Sequence, residues 1–209
     1  SEKAVMVSTD GHRLSRIEGK LTEEHFPFEQ AIILPRKGLM EILRILEGSS
    51  TDNESKVDFG LLGNQVMIRT SSTLLTMRLI DGKFPDYQRV IPKQGDKVMS
   101  ADREVLKAAL SRTSILSNEK FRGVRLQLSP GLLRASTHNP EQEEAEEELE
   151  VGFDGETLEI GFNVSYLLDV LGVIKSETVR FEMSDANSSA VIYSPDEVQA
   201  RYVVMPMRL

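Results

Sequence analysis

Cysteine and tryptophan are both absent from the 209 residues. Without cysteine there can be no disulfide, no thiolate nucleophile, no zinc knuckle and no thiolate-held iron–sulfur cluster, and a reducing cytosol is the expected compartment. No apolar run approaches the ~18–20 residues that cross a bilayer, and Ser1-Glu2-Lys3 opens no basic-then-apolar signal segment. Catalytic signatures are lacking as well. There is no Gly-x-Ser-x-Gly elbow, and His12, His25 and His138 have neither the spacing of a metal pair nor an adjacent Ser/Asp partner. Gly11 and Gly19-Lys20 miss the spacing of a phosphate loop, and Asp185-Ala186-Asn187 opens like a calcium loop without its glycine or closing glutamate. The expectation is a protein that is not an enzyme, with no catalytic residue, no metal and no cofactor. The Asn-x-Ser sequons at Asn53, Asn163 and Asn187 are chance matches in an intracellular chain.

What is present is an ordinary globular composition, 40% hydrophobic, with 33 acidic residues against 25 basic and a net charge of −8. An acidic balance excludes a protein coated with nucleic acid over its whole surface, while leaving room for a basic stripe on one face. The length allows one large domain or two small ones.

Many short strands and few helices are expected, an α+β pattern. Val5–Ser8, Ala31–Leu34, Val57–Gly60, Val66–Thr70 and Leu74–Leu79 have the β-branched content and length of strands. A Pro/Gly/Asp-rich stretch then runs from Asp81 to Asp96, and a linker is placed at 87–97, dividing the chain into 1–86 and 98–209. Beyond it the pattern predicts a helix over Asp102–Leu116 and strands at Val124–Leu128, Leu132–Ser136, Leu149–Phe153 and Leu158–Phe162. A helix from Val164 follows, then strands at Val179–Ser184, Ala190–Ser194 and Ala200–Met205.

The two halves repeat in pattern. Pro35–Leu43 falls on Asn163–Leu171 at an offset of 128, Val57-Asp58-Phe59 on Val179-Arg180-Phe181 at 122, and Met77-Arg78-Leu79 on Val203-Val204-Met205 at 126. In the second copy a helix and strands over 97–136 precede the segment equivalent to Val5–Thr9; in the first copy almost nothing does. The chain is therefore expected to begin inside a domain, with one truncated and one complete copy of the unit, and a sheet so shortened exposes unpaired backbone that invites association.

Read as wheels at ~100° per residue, the helices segregate charge. In Arg36–Glu47 the residues Leu39, Ile42, Leu43 and Leu46 form an apolar face opposite Lys37 and Arg44. In Asp102–Leu116 the residues Leu106, Ala109, Leu110 and Thr113 face inward, while Arg103, Lys107, Ser111 and Ser114 share an outer stripe. Such stripes are either ordinary solvated faces or cation rows that hold phosphates without reading bases. Glu141–Glu150 carries the opposite bias and reads as a solvated loop running into an edge strand that cannot face nucleic acid.

Several ordered segments together resemble the bacterial sliding clamp family, the β subunits of DNA polymerase III. They are Thr9–Leu14 (TDGHRL), Pro35–Gly38 (PRKG), Asp81–Tyr87 (DGKFPDY), Ser117–Arg125 (SNEKFRGVR), Asn139–Ala145 (NPEQEEA) and Tyr202–Leu209 (YVVMPMRL). The resemblance runs from about Val5 to Leu209 and lacks the family's first domain and the start of its second. It implies DNA-clamp repeats with paired helices against antiparallel sheets, and a homodimeric ring when full length. Such a ring encircles duplex DNA without sequence preference and tethers the polymerase III α subunit, the clamp loader and other proteins carrying clamp-binding peptides. The expected location is the cytoplasm, at the nucleoid.

The same resemblance implies site residues. Lys37, Arg44, Arg103 and Lys107 would face DNA, and Ile115 and Leu116 would lie at the ring interface. A partner-peptide groove would have Thr9, Gly11, His12, Leu14, Pro85, Arg89 and Val90 on one wall. The other would be Phe121, Asn163, Tyr166, Ser189, Val203, Val204, Met205, Pro206, Met207 and Arg208. Methionines flanking a proline suit a deformable apolar surface for unequal peptides. A chain without the first domain is expected not to close a ring or to hold circular DNA. The alternative reading is a stand-alone peptide-binding module, a decoy that captures clamp partners without encircling DNA.

Overall fold

The computed structural model describes residues 3–20, 30–48, 57–93, 95–197 and 199–208. In chain order the elements are β1 (Lys3–Thr9), β2 (Arg13–Lys20), α1 (Arg36–Gly48), β3 (Asp58–Leu62), β4 (Gln65–Arg69), β5 (Leu74–Arg78), β6 (Lys97–Asp102), α2 (Arg103–Thr113), β7 (Gly123–Ser129), β8 (Leu132–His138), β9 (Glu144–Glu150), β10 (Leu158–Asn163), α3 (Val164–Val173), β11 (Thr178–Met183), β12 (Ala190–Tyr193) and β13 (Ala200–Val204). Short 3-10 turns occupy Tyr87–Arg89 and Ser114–Leu116. The chain forms two compact units, one of Ser1–His25 with Tyr87–Leu209, the other of Phe26–Asp86.

The first unit holds a six-stranded antiparallel sheet in the order β1-β2-β13-β12-β11-β6 and a four-stranded one in the order β10-β7-β8-β9. Alternation builds both. In β7, Val124, Leu126 and Leu128 are buried while the intervening residues are half-exposed, and Leu158, Ile160 and Phe162 do the same on β10. Leu106, Ala109 and Leu110 of α2 and Val164, Leu167 and Leu171 of α3 join them in one continuous core with Met99, Phe181, Ile192 and Val204 from the larger sheet. Both helices are capped: Asp102 accepts from the Val105 N–H at 2.9 Å and Asn163 from the Ser165 N–H at 2.9 Å, each worth about 1 kcal/mol. The buried Thr137 hydroxyl donates to the Thr113 carbonyl at 2.9 Å, tying β8 to the end of α2.

The second unit is a three-stranded sheet, β3-β4-β5, with Val66, Ile68 and Met77 buried and Ile42 of α1 packed on them. The expected apolar face of α1 is only partly used, because Leu39, Leu43 and Leu46 remain exposed at 42%, 49% and 40%. A three-stranded sheet is too small to cover that stripe.

Elsewhere the strands follow the sequence pattern, with local departures: the strand expected at Leu149–Phe153 lies earlier, as β9, and beyond Glu150 only Gly152 makes a single bridge, to Ser100. Residues Ala31–Leu34 form no regular element, while β2 and β6 arise where no strand was expected. Ser114, assigned to an outer stripe, is buried at 7% with its hydroxyl on the Ser111 carbonyl, because the helix tightens there into the 3-10 turn. The acidic run is a loop up to Glu143 and then β9 at a sheet edge. Its charge is partly matched: Arg112 makes two bonds to Glu147, at 2.7 and 2.9 Å, and Arg134 reaches Glu148 at 2.6 Å. His25 and Asn53 lie outside the described residues.

Gly95 fastens the start of the larger sheet. A Cβ there would stand 2.5 Å from the Met183 carbonyl oxygen and 2.7 Å from its nitrogen, and backbone cannot swing aside as a side chain can. Gly95→Ala is expected to destabilise the protein by about 1–3 kcal/mol, whereas Gly19→Ala, with nothing within 4 Å, should melt near the parent temperature. Equal melting of the two variants in calorimetry would contradict this packing.

Candidate peptide-binding site

The site begins at the turn joining β1 to β2. Asp10 and Gly11 supply the turn chemistry: Gly11 has φ +90°, which a side chain would strain. Asp10 Oδ1 accepts from the backbone N–H groups of His12 and Arg13, both at 3.0 Å. Thr9 closes it from the other side, its hydroxyl donating to the Arg13 carbonyl at 2.8 Å and accepting from the Gly11 N–H at 3.2 Å. Thr9, Gly11 and His12 are thereby exposed at the tip, while Leu14 is buried.

The last strand, β13, pairs antiparallel with β2, setting Val203 opposite Leu14 and Val204 opposite Arg13. The Met205 N–H then donates to the His12 carbonyl at 2.9 Å, and the Met207 N–H to the Gly161 carbonyl at 2.9 Å. These bonds draw Met205-Pro206-Met207-Arg208 across from the hairpin tip to β10. Met205 is 44% exposed and Pro206 and Met207 are half-buried, so the segment presents apolar surface. Val203 and Val204, with Leu14, are core residues that support this surface from below. Ser189 adjoins them, immediately before Ala190, which pairs with Val204.

A second segment reaches the same region. Asn118 Oδ1 accepts from the N–H groups of Lys120 and Phe121, both at 3.0 Å, and the Val164 N–H donates to the Arg122 carbonyl at 2.8 Å, docking this loop on the start of α3. Asn163 caps the helix and also donates to the Phe121 carbonyl at 3.4 Å. Phe121 is left 56% exposed, with the Lys120 ammonium 5.2 Å from its ring centre. An open groove of about 780 Å³, lined in part by Phe121, Arg125, His138, Met207 and Arg208, continues from it.

One residue absent from the sequence-based assignment stands at the centre. Arg13 lies with its guanidinium carbon 4.4 Å from the Tyr166 ring centre and is bonded to Asp169 on α3 and to Asp10, the latter at 3.0 Å. Burial disfavours its charge, but the two carboxylates outweigh that and raise its pKa. The signal was there in part, since Asp10 and Arg13 stand three apart in the quoted TDGHRL segment; Asp169 carried none.

The remaining candidates fall elsewhere. Arg89 and Val90 are exposed at the 3-10 turn after Tyr87, and Pro85 is an exposed residue of the second unit. Lys37 and Arg44 are exposed on α1, Arg44 paired with Glu41 at 2.8 Å. Arg103 is not an outward cation: its side chain is 15% exposed and its guanidinium donates to the Ser176 and Leu171 carbonyls at 2.9 and 3.2 Å. It braces the end of α3, a tertiary contact that a helix wheel cannot register. Lys107 is half-buried on α2; Ile115 is 76% exposed and Leu116 half-buried at the end of that helix. Among the described residues no group of three or more His, Asp or Glu is placed to hold a metal.

The fold is that of the sliding clamps. A Pseudomonas aeruginosa DNA polymerase sliding clamp superposes with a TM-score of 0.93 at 50% identity, covering 100% of this chain and 56% of that one. A Caulobacter crescentus beta sliding clamp gives 0.92 at 37%, covering 99% and 54%. The family model described as DNA polymerase III beta subunit, C-terminal domain, matches residues 88–208, and the one for the central domain matches residues 1–86. The chain belongs to the DNA polymerase III beta subunit family. The beta sliding clamp of P. aeruginosa is 51% identical over 205 residues, and that of Escherichia coli 46% identical over 211 residues. The chain spans about half the length of these relatives, 54% and 55% respectively.

The hairpin tip has a testable pH response. Burial pushes the Asp10 carboxyl up, but the His12 and Arg13 N–H groups and the Arg13 guanidinium outweigh it and hold the pKa below the usual carboxylate range. A folded pKa below the unfolded one means that this stabilisation is complete above the ordinary carboxylate pKa and is lost as pH falls through the lower folded value. The Asp10 side-chain carboxyl carbon resonance should therefore titrate with its midpoint below that of an ordinary aspartate. A transition centred higher would contradict the arrangement.

Proposed function

We propose that this chain is the central and C-terminal part of a DNA sliding clamp, and that the surface running from the hairpin tip to Arg208 takes short peptides from replication proteins. The observation that carries the reading is the Met205–Arg208 segment, exposed at both ends, pinned by backbone bonds to His12 and Gly161 and lining one groove with Phe121. A pinned apolar strip loses little entropy when an extended peptide settles on it, and its methionines adapt to unequal side chains. The beta sliding clamp names of its relatives support the same reading.

In this proposal the protein does no covalent chemistry. It works topologically in the full-length ring, a homodimer around duplex DNA at the nucleoid, raising the effective concentration of polymerase at the template. The polymerase III α subunit, the clamp loader and other peptide-bearing proteins share the groove. Lys37, Arg44 and Lys107 make loose, sequence-independent phosphate contacts, Arg103 serves as an internal brace, and Ile115 and Leu116 lie at the ring junction. The segment 87–97 links the domains 1–86 and 98–209, and Arg89 and Val90 belong to the hairpin-side wall of the groove.

Titration of a fluorescent peptide containing Gln and Leu/Phe against this chain tests the peptide site. Saturable binding is expected, weakened by about fivefold or more in Met205→Ala, since an apolar anchor truncated at an interface centre costs more than about 1 kcal/mol. Unchanged affinity would remove Met205 from the site, and absence of binding by the folded parent chain would overturn the peptide-site reading.

A further inference from the structure

The groove's two sides come from parts of the chain far apart in sequence: the β1–β2 tip on one, α3 and the C-terminal segment on the other. The backbone joins them at the tip through the Met205-to-His12 bond. The side-chain connection is Arg13. Its guanidinium is held on three sides, by Asp10 within its own turn and by Tyr166 and Asp169 on α3. Tyr166 and Asp169 are three residues apart on α3 and so share a face of the helix.

A set of two ion pairs this exposed, with Arg13 at 35%, Asp10 at 45% and Asp169 at 64%, is worth little to stability. Its value is geometric. A planar guanidinium can bond two carboxylates along its edges while stacking its face on a ring, and an ammonium cannot do all three. We propose that Asp169 is a positioning residue for the peptide groove: by holding Arg13 over Tyr166 it fixes the spacing between the hairpin tip and α3 before a peptide arrives. The inference rests on the peptide-site reading above and adds to it a residue whose effect passes through Arg13 and Tyr166. Asp10 sets the other end of the same latch, fixing the guanidinium relative to the turn.

The test titrates the same fluorescent peptide against the parent chain, Asp169→Asn, Asp169→Glu and Arg13→Lys. Asp169→Asn is expected to weaken binding about three- to tenfold, the scale of a lost preorganising contact, with melting unchanged. Asp169→Glu restores affinity to within about twofold because the carboxylate returns, and Arg13→Lys behaves like Asp169→Asn. A readout beyond affinity is the Arg13 Nε–H proton resonance. Stacking on Tyr166 shifts it by ring current, and the shift should shrink in Asp169→Asn. Binding by Asp169→Asn equal to the parent, Asp169→Glu no better than Asp169→Asn, or an unmoved Arg13 resonance would overturn the positioning role. If the parent chain itself binds nothing, the peptide-site reading fails and this inference falls with it; parent binding with indifferent variants removes the latch alone.

Discussion

The antiparallel pairing of β2 with β13 is the constraint on which the site depends. Through it Leu14 meets Val203 and Arg13 meets Val204, so the N-terminal hairpin becomes part of the same sheet as the last strand of the chain. The Met205-to-His12 bond extends that ladder by one more rung, after which Pro206, lacking an N–H, ends it. Take the pairing away and the hairpin tip, α3 and the C-terminal segment lose their common frame. The family models divide the chain between residues 86 and 88, whereas the compact units put Ser1–His25 with the C-terminal portion. The hairpin therefore belongs in sequence to the central domain and in packing to the C-terminal one.

Charge follows a related economy. The chain is acidic overall, yet its acid is concentrated at β9 and the loop before it, where Arg112 and Arg134 answer part of it. Arg103 and Arg13, both basic residues near α3, are turned to internal work, one on the carbonyls at its C-terminal end and the other on Tyr166 and Asp169 near its start. A cation's position on a helix wheel therefore does not settle whether it faces solvent. Lys107, one turn beyond Arg103, is half-buried on the same helix.

Elements whose burial is one-sided were legible from sequence. Val124, Leu126 and Leu128 alternate as a half-buried strand must, and Leu106, Ala109 and Leu110 repeat as a helix face must; both lie where the pattern puts them. β2 was not legible because Leu14 is its one fully buried side chain and Ile17, its other large apolar residue, is 51% exposed among polar neighbours. The strand is held between β1, its neighbour in the hairpin, and β13, more than 180 positions away in the sequence. Ala31–Leu34 failed in the opposite way, with β-branched composition but no ladder to join. In the site, the residues within quoted motifs could be named in advance; Asp169 could not, because only the fold sets it against Arg13. The wheel likewise gave Arg103 the wrong outlook, since α3's carbonyls come from another part of the chain.

One surface, running from the β1–β2 tip across Tyr166 and Phe121 to Arg208, is the proposed peptide site. Its most direct measurement is backbone amide NMR on the isotope-labelled chain during titration with the unlabelled Gln- and Leu/Phe-containing peptide. Perturbed resonances are expected to cluster at Thr9–Leu14, Phe121, Asn163–Tyr166 and Val203–Arg208, with α1 and β3–β5 unaffected. Saturable binding whose perturbations centre elsewhere, on β9 or on the exposed face of α1, would contradict it.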